Sequence, residues 1–335
     1  MNMRDSKDTL ESQEAGEHLL QVTDLKTHFF TRAGTVEAVD GVSFSLDRGV
    51  ALGIVGESGS GKTVTALSLM RLVPKPGRIV GGHILLNPIG DLTEKSERDM
   101  EKIRGKNMSM AFQDPMTFLN PVMKVGDQIT EAILLHQNIE KPAATRIACE
   151  TMNLVGIPSP ETRMLEYPHQ MSGGMRQRIL LAIGLSCDPD VLIADEITTA
   201  LDAITQAKIL RLLKDLRSRF GMALVLITHD LGVVAQLAER LIVMYAGRIM
   251  EMGSIVAIFK NPRNPYTQAL LELVPRIDHR RGLLPTIDGS IPRLILPPSG
   301  CRFHPRCPRS SEICRKHVPD LKEIERQHLV ACWNA

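Results

Sequence analysis

ALGIVGESGSGKTV, residues 51–64, is the stretch on which the fold turns. An apolar run containing Leu52, Ile54 and Val55 meets Gly56. From there Gly56-Glu57-Ser58-Gly59-Ser60-Gly61-Lys62-Thr63 spells G-x-x-x-x-G-K-T. A buried strand that runs into a glycine-rich turn and then a helix is the expected setting of a phosphate-binding loop. Gly56, Gly59 and Gly61 let the backbone turn its N–H groups inward, and the positive end of the following helix adds to them. Together they suit a polyphosphate. Lys62 is placed to reach the β- and γ-phosphates, and the Thr63 hydroxyl to ligate Mg²⁺. The plain alternative is a glycine-rich turn with a chance Lys-Thr pair.

Outward from the loop, composition sets limits. The chain has 335 residues, enough for one large domain with an appendage or for two modest domains. Apolar residues are 43% and charged ones 23%, so a sizeable core is available. A net charge of +2 gives no argument for nucleic acid. The longest apolar runs resemble MALVLI (222–227), far short of the roughly 20 residues a membrane helix needs. Residues 1–18 are polar, lack the apolar core of a signal peptide, and are expected to form a flexible tail. A cytosolic chain follows from this, and its six cysteines are then poor candidates for structural disulfides.

Residues 19–48 alternate loosely and are read as short antiparallel strands with turns at Ala33-Gly34 and Asp47-Arg48-Gly49. Phe29 and Phe30 precede the first turn, and either stacks on a purine face or packs inward. VPKPGRIVGG is read as a proline- and glycine-rich connection to a strand at His83–Leu86. DLTEKSERDMEKIRG follows as an exposed helix, and MSMAFQDP as a strand ending at Gln113. Gln113 either ligates a metal or caps a loop. Residues 125–187 carry apolar residues at three- and four-residue spacing, which predicts helices. Met171-Ser172-Gly173-Gly174-Met175 opens the last of them and gives a second helix N-terminus able to hold an anion. DVLIADE (190–196) reads as a buried parallel strand ending in two acids. Asp195 is placed to hold Mg²⁺ through water, and Glu196 to polarise an attacking water; an N-cap is the alternative. MALVLITHD (222–230) ends in His229, at the strand end where open α/β sheets place ligands.

In this order the motifs resemble the nucleotide-binding subunit of ABC transporters over about residues 19–275. GESGSGKT (56–63) resembles the Walker A motif, Gln113 the Q-loop and SGGMRQ (172–177) the signature. VLIADE (191–196) resembles Walker B, TALD (199–202) the D-loop and His229 the switch histidine. The resemblance implies an α/β fold, a P-loop NTPase core with an antiparallel β subdomain, an α-helical subdomain at about 115–187 and a loop-rich C-terminal extension from 276. It implies ATP and Mg²⁺ as ligands. Lys62, Glu196 and His229 are then catalytic, Phe29 stacks on adenine, and Thr63, Gln113 and Asp195 serve Mg²⁺. Head-to-tail pairing of two ATPase domains would bring Ser172, Gly173 and Gly174 to the partner's nucleotide, and Met175, Gln177 and Asp202 count among the nucleotide-binding residues. Gln113 would link Mg²⁺ to the helical subdomain that contacts the membrane subunits.

Two positions depart from the pattern. Met175 stands where many members have Gln. Ile197 stands where Pro usually follows the catalytic Glu, which is expected to loosen that turn slightly.

FQDPMTFLNP (112–121), VLITHDLGVVAQLAERLIVMYAGRIME (225–251) and NPRNPYTQALL (261–271) narrow the resemblance to ATPase subunits of di- and oligopeptide importers, a branch that includes nickel uptake. It implies two membrane permeases, a second and distinct ATPase, an extracytoplasmic solute-binding protein and a place on the cytoplasmic face of the inner membrane. A soluble ABC ATPase acting on nucleic acid or ribosomes is the rival from another class, but it usually fuses two cassettes or inserts coiled coils, and this chain has neither. Cys301, Cys307, Cys314 and Cys332 are spaced C-x5-C-x6-C-x17-C, unlike the tight pairs of zinc sites. Iron–sulfur ligation, zinc and free thiols all remain open on spacing. The resemblance implies a [4Fe–4S] cluster.

Overall fold

The computed structural model describes residues 18–198, 201–274, 286–292 and 294–335. The first seventeen residues, Thr199 and Ala200 of the D-loop stretch, and the passage into the C-terminal extension lie outside the described residues.

A long hairpin opens the chain: β1 (Leu20–Thr31) and β2 (Gly34–Leu46), antiparallel from Leu20↔Leu46 to Thr31↔Gly34. The chain then enters the interior as β3 (Ala51–Val55), with all five residues buried, turns through the glycine loop and forms the helix Lys62–Leu69. It returns as β4 (Gly77–Leu86) and β5 (Gly90–Asp91). β4 begins six residues before the strand expected from sequence, because it pairs with the far end of β1, up to Phe29↔Gly77. Gly82 makes this possible. It sits at φ 84, and a methyl group there would come within 2.4 Å of the Asp24 carbonyl oxygen. The resulting antiparallel sheet has the order β2-β1-β4-β5.

The central sheet has eight strands. β6 (Met108–Ala111), β7 (Val191–Asp195), β8 (Ala223–Ile227) and β9 (Arg240–Tyr245) join β3, and β10 (Arg248–Ser254), β11 (Lys322–Glu325) and β12 (His328–Val330) complete it. The order is β11-β12-β10-β9-β3-β8-β7-β6, parallel from β9 through β6 and antiparallel at the other edge. β3, β7 and β8 are buried along their whole lengths, as parallel strands covered on both faces must be. The C-terminal segment is therefore more than a loop-rich appendage, since it adds two strands to the catalytic sheet.

Between β6 and β7 lies a helical layer, chiefly Val125–His136, Lys141–Leu154 and Gly173–Leu185. Ile129, Ile133, Ala144, Ala148, Met152 and Ile179 are buried in one shared core. Each fully buried Ile or Met side chain there contributes about 1.5–3 kcal/mol. No described helix is long and apolar enough to cross a membrane.

Candidate active site

The site forms where β3, β7 and β8 end. Gly56, Gly59 and Gly61 all have positive φ, at 154, 82 and 103°. At two of them crowding forbids a side chain. A methyl group on Gly56 would lie 2.1 Å from the Met244 carbonyl oxygen, and one on Gly61 2.5 Å from that of Ala38. At Gly59 nothing lies within 4 Å, so only the backbone conformation calls for glycine.

Lys62 is buried, and its ammonium donates to the carbonyls of Gly56 (2.7 Å) and Glu57 (2.9 Å) and to the Ser60 hydroxyl (3.4 Å). Burial lowers its pKa, against the pull of Glu196, Asp195 and Glu57. Ser60 is fully buried, while Ser58, Gly59 and Thr63 are exposed. The Thr63 hydroxyl donates to Asp195 Oδ1 at 3.4 Å. Asp195 is itself buried, and burial pushes its carboxyl up to about 6. A hydroxyl and a desolvated carboxylate facing each other form an all-oxygen donor set, which suits a hard divalent cation that keeps several waters. The residues present thus fit Mg²⁺.

Glu196 is the convergence point. Gln113 Nε2 donates to its Oε2 at 2.7 Å, and His229 Nδ1 lies 3.2 Å from its Oε1. Three chain-distant residues, from the ends of β6, β7 and β8, meet at one carboxylate. Glu196 sits at φ 49, a left-handed conformation uncommon for a residue with a side chain. Its N–H donates to the Ile227 carbonyl, which ties the turn to β8. Ile197 is buried in the helical-layer core, so its side chain anchors this turn where loosening was expected.

The remaining expected residues are scattered on this single chain. Ser172 caps the helix Gly173–Leu185, its hydroxyl accepting from the Met175 N–H at 3.3 Å. Gly173 faces open space, whereas a methyl group on Gly174 would meet Thr205 at 2.9 Å. Met175 packs partly against the core. Gln177 is only 3% exposed, with its amide nitrogen unpartnered. Asp202 Oδ1 accepts from the N–H groups of Ile204 (3.1 Å) and Thr205 (3.0 Å), an N-cap. Phe29 is half-buried against Gly77, where a methyl group would come within 2.6 Å of its ring. Phe30 is the exposed aromatic, with the Arg78 guanidinium 4.5 Å from its ring centre.

The [4Fe–4S] expectation is corrected. Cys301, Cys307, Cys314 and Cys332 do line one cavity, but its volume is only about 10 Å³, and Phe303, Pro265, Met250 and Trp333 share its walls. That is the least space that holds even one water. Burial pushes the Cys301 thiol up to about 11 and raises those of Cys307 and Cys332. Among the described residues, no group of three or more His, Cys, Asp or Glu side chains is arranged to hold a metal ion.

Local pattern gave no sign of three residues that bear on the loop. Tyr266 donates no motif, yet its hydroxyl accepts from the Glu57 N–H at 3.0 Å. Arg306 grips the Glu57 carboxylate with both terminal nitrogens, at 2.7 and 3.0 Å. Arg302, buried, pairs with Glu37 and Asp40 of β2. Both arginines sit in the proline- and arginine-rich tail, where nothing in the sequence indicates a partner some 250 positions away.

A glycine cradle, a buried lysine, a hydroxyl–carboxylate pair and a carboxylate at a parallel strand end define a P-loop nucleotide hydrolase. The residues 39–199 match the family described as ABC transporter, and residues 250–314 match the family described as oligopeptide/dipeptide transporter, C-terminal region. A probable peptide ABC transporter ATP-binding protein of Sinorhizobium fredii is 49% identical over 97% of this chain and 98% of its own. The dipeptide transport ATP-binding protein DppD of Bacillus subtilis is 49% identical over 95% of each chain. The oligopeptide transport ATP-binding protein OppD of Escherichia coli is 46% identical over 96% of this chain and 95% of its own. Among solved structures, the ATP-binding cassette MJ0796, a dimer in a post-hydrolysis state bound to ADP and Pi, has the same fold. It aligns with a TM-score of 0.64 at 23% identity, over 70% of this chain and 98% of that one. The chain belongs to the ABC transporter family, as a transporter ATP-binding subunit that hydrolyses ATP and uses Mg²⁺.

Proposed function

We propose that this subunit powers the import of di- and oligopeptides from the cytoplasmic face of the inner membrane. The match of residues 250–314 to the oligopeptide/dipeptide transporter C-terminal region carries the peptide assignment, and full-length relatives described as peptide transport proteins support it. Two permeases, a second ATPase subunit and an extracytoplasmic solute-binding protein complete the assembly, with solute choice lying in the last and in the permeases. Around the Gln113 end of β6, Met116, Phe118 and Val122 are exposed apolar side chains, a chemistry suited to a membrane-subunit contact.

In the reaction, Glu196 takes the proton of the attacking water as general base, held in line by Gln113 and His229. Lys62 and those loop N–H groups not already donating to the Tyr266 hydroxyl or the Glu57 carbonyl hold the phosphates and offset charge that develops at the β–γ bridge. Mg²⁺, when bound at Thr63 and Asp195 beside Gln113, supplies Lewis-acid neutralisation of the phosphate oxygens. Phe29 lies on the adenine side. Ser172, Gly173 and Gly174 serve the nucleotide of the partner ATPase, with Met175 and the exposed Asp202 shaping that face, which the buried Gln177 does not reach. An isolated chain therefore binds ATP and hydrolyses it slowly. The deciding experiment is uptake of labelled dipeptide, oligopeptide and nickel by cells with and without this chain. Selective loss of peptide uptake is expected. Loss of nickel uptake alone would overturn the peptide reading.

A further inference from the structure

Among the described residues, the side-chain hydrogen bonds from the C-terminal segment to the phosphate loop meet at Glu57. Three separate elements hold it: its N–H donates to the Tyr266 hydroxyl at 3.0 Å, its carbonyl accepts from Lys62 at 2.9 Å, and its carboxylate takes both terminal nitrogens of Arg306. The Arg306 side chain is 5% exposed. It also donates to the carbonyls of Asp288 (2.8 Å) and Ile287 (3.0 Å) and to the Tyr245 hydroxyl (3.3 Å), with its Cζ 5.7 Å from the Tyr245 ring centre. Tyr245, Tyr266 and Phe303 pack edge-on or tilted against one another, with ring centres 4.6–5.2 Å apart, and floor this contact with rigid rings. A second tie lies alongside. Arg302 pairs with Glu37 and Asp40 and donates to the Ala246 carbonyl, and the neighbouring Gly247 N–H donates to the Ser60 carbonyl at 2.8 Å.

Glu57 is chemically out of place. It puts a negative charge on a loop whose ligand is a polyphosphate, and like charges in a partly desolvated site repel strongly. A bidentate guanidinium neutralises that charge and fixes the direction of the side chain. We propose that Arg306 is a positioning residue for ATP binding: by clamping and neutralising Glu57 it makes the C-terminal segment part of the nucleotide site. The clamp lies outside the hydrolytic residues and acts on affinity. It rests on the loop being the ATP site, which ATP binding by the full-length chain and its loss in Lys62→Ala test separately.

The test is the Kd for ATP and its salt dependence in the full-length chain, with Arg306→Gln, Arg306→Lys and Glu57→Gln/Arg306→Gln. Arg306→Gln is expected to weaken ATP binding about tenfold at low salt, less at high salt, as one uncancelled charge near the phosphates demands. The double variant, in which the charge to be cancelled is gone, should regain most of that loss. Arg306→Lys keeps the charge without the fork and should fall between. Wild-type affinity in both Arg306→Gln and Arg306→Lys overturns the proposal. So does a loss that the double variant fails to regain, since packing alone would then explain it. Should Arg306→Gln not fold, Arg306→Lys decides: a loss of about threefold supports the clamp and wild-type affinity overturns it.

Discussion

Two buried carboxylates in the same sheet mark its two halves. Asp195 ends β7 on the parallel side, and Glu251 lies within β10 on the antiparallel side. Asp195 is met by the Thr63 hydroxyl at 3.4 Å, and its carboxyl is raised to about 6 by burial. Glu251 is 0% exposed and accepts from the N–H groups of Arg263 (2.8 Å) and Asn264 (3.0 Å), with His328 Nε2 at 2.7 Å. One acid is left short of donors and so has capacity for a cation; the other is saturated and serves as a rivet between β10, β12 and the chain entering helix Pro265–Glu272. Burial alone does not distinguish a functional acid from a structural one, whereas the number of donors does.

Substitutions in the loop and at the two acids separate functional from structural charge, with the strongest expected effect at Lys62. Lys62→Ala removes the buried cation of the cradle, and ATP affinity should fall at least about a hundredfold, given charge-assisted bonds worth about 1.5–3 kcal/mol each. Equilibrium nucleotide titration checks it. Glu251→Ala leaves two backbone donors and His328 without their acceptor and should cost about 3 kcal/mol of stability in urea unfolding, with ATP affinity changed far less.

Asp195→Asn should do the reverse. The folded pKa of Asp195 lies above its ordinary 3.8, so the native state holds a proton that the unfolded chain has already lost. Stability contributed by that proton is present below about pH 4 and is lost as pH rises through about 6. At pH 7.5 without nucleotide or Mg²⁺, Asp195→Asn should therefore gain about 2–3 kcal/mol, shrinking toward pH 4, while ATPase activity collapses. Destabilisation at pH 7.5 would place Asp195 with Glu251 as a structural acid. Last, Asp202→Ala removes a cap with two N–H partners and should cost about 1 kcal/mol.

The two halves also differed in how far the sequence disclosed them. The phosphate loop, the acids at 195 and 196, and His229 were legible because each lies at a strand end, where period, glycine spacing and charge are local signals. The meeting of Gln113 and His229 at Glu196, through contacts of 2.7 and 3.2 Å, was not read from the sequence, which gave Gln113 to Mg²⁺ or a loop cap and His229 to the bound ligand. The extent of β4 was missed because proline and glycine mask a strand that long-range pairing with β1 creates. The C-terminal half was misread for a related reason. Four cysteines in a short span suggested a metal, whereas their cavity holds only about 10 Å³ and, among the described residues, no ligand group is arranged for a metal ion. The consequential residues there, Arg302, Arg306 and His328, have partners 56–265 positions away, and no local pattern reports such contacts.

Glu196→Gln separates activation of water from nucleotide binding by the loop. Single-turnover ATP hydrolysis and ATP binding, measured together on this variant in the assembled transporter, read the two apart. Hydrolysis should fall at least about a hundredfold, within the range of general-base catalysis, with Kd for ATP within about threefold of the parent. Hydrolysis at the parental rate would contradict the account.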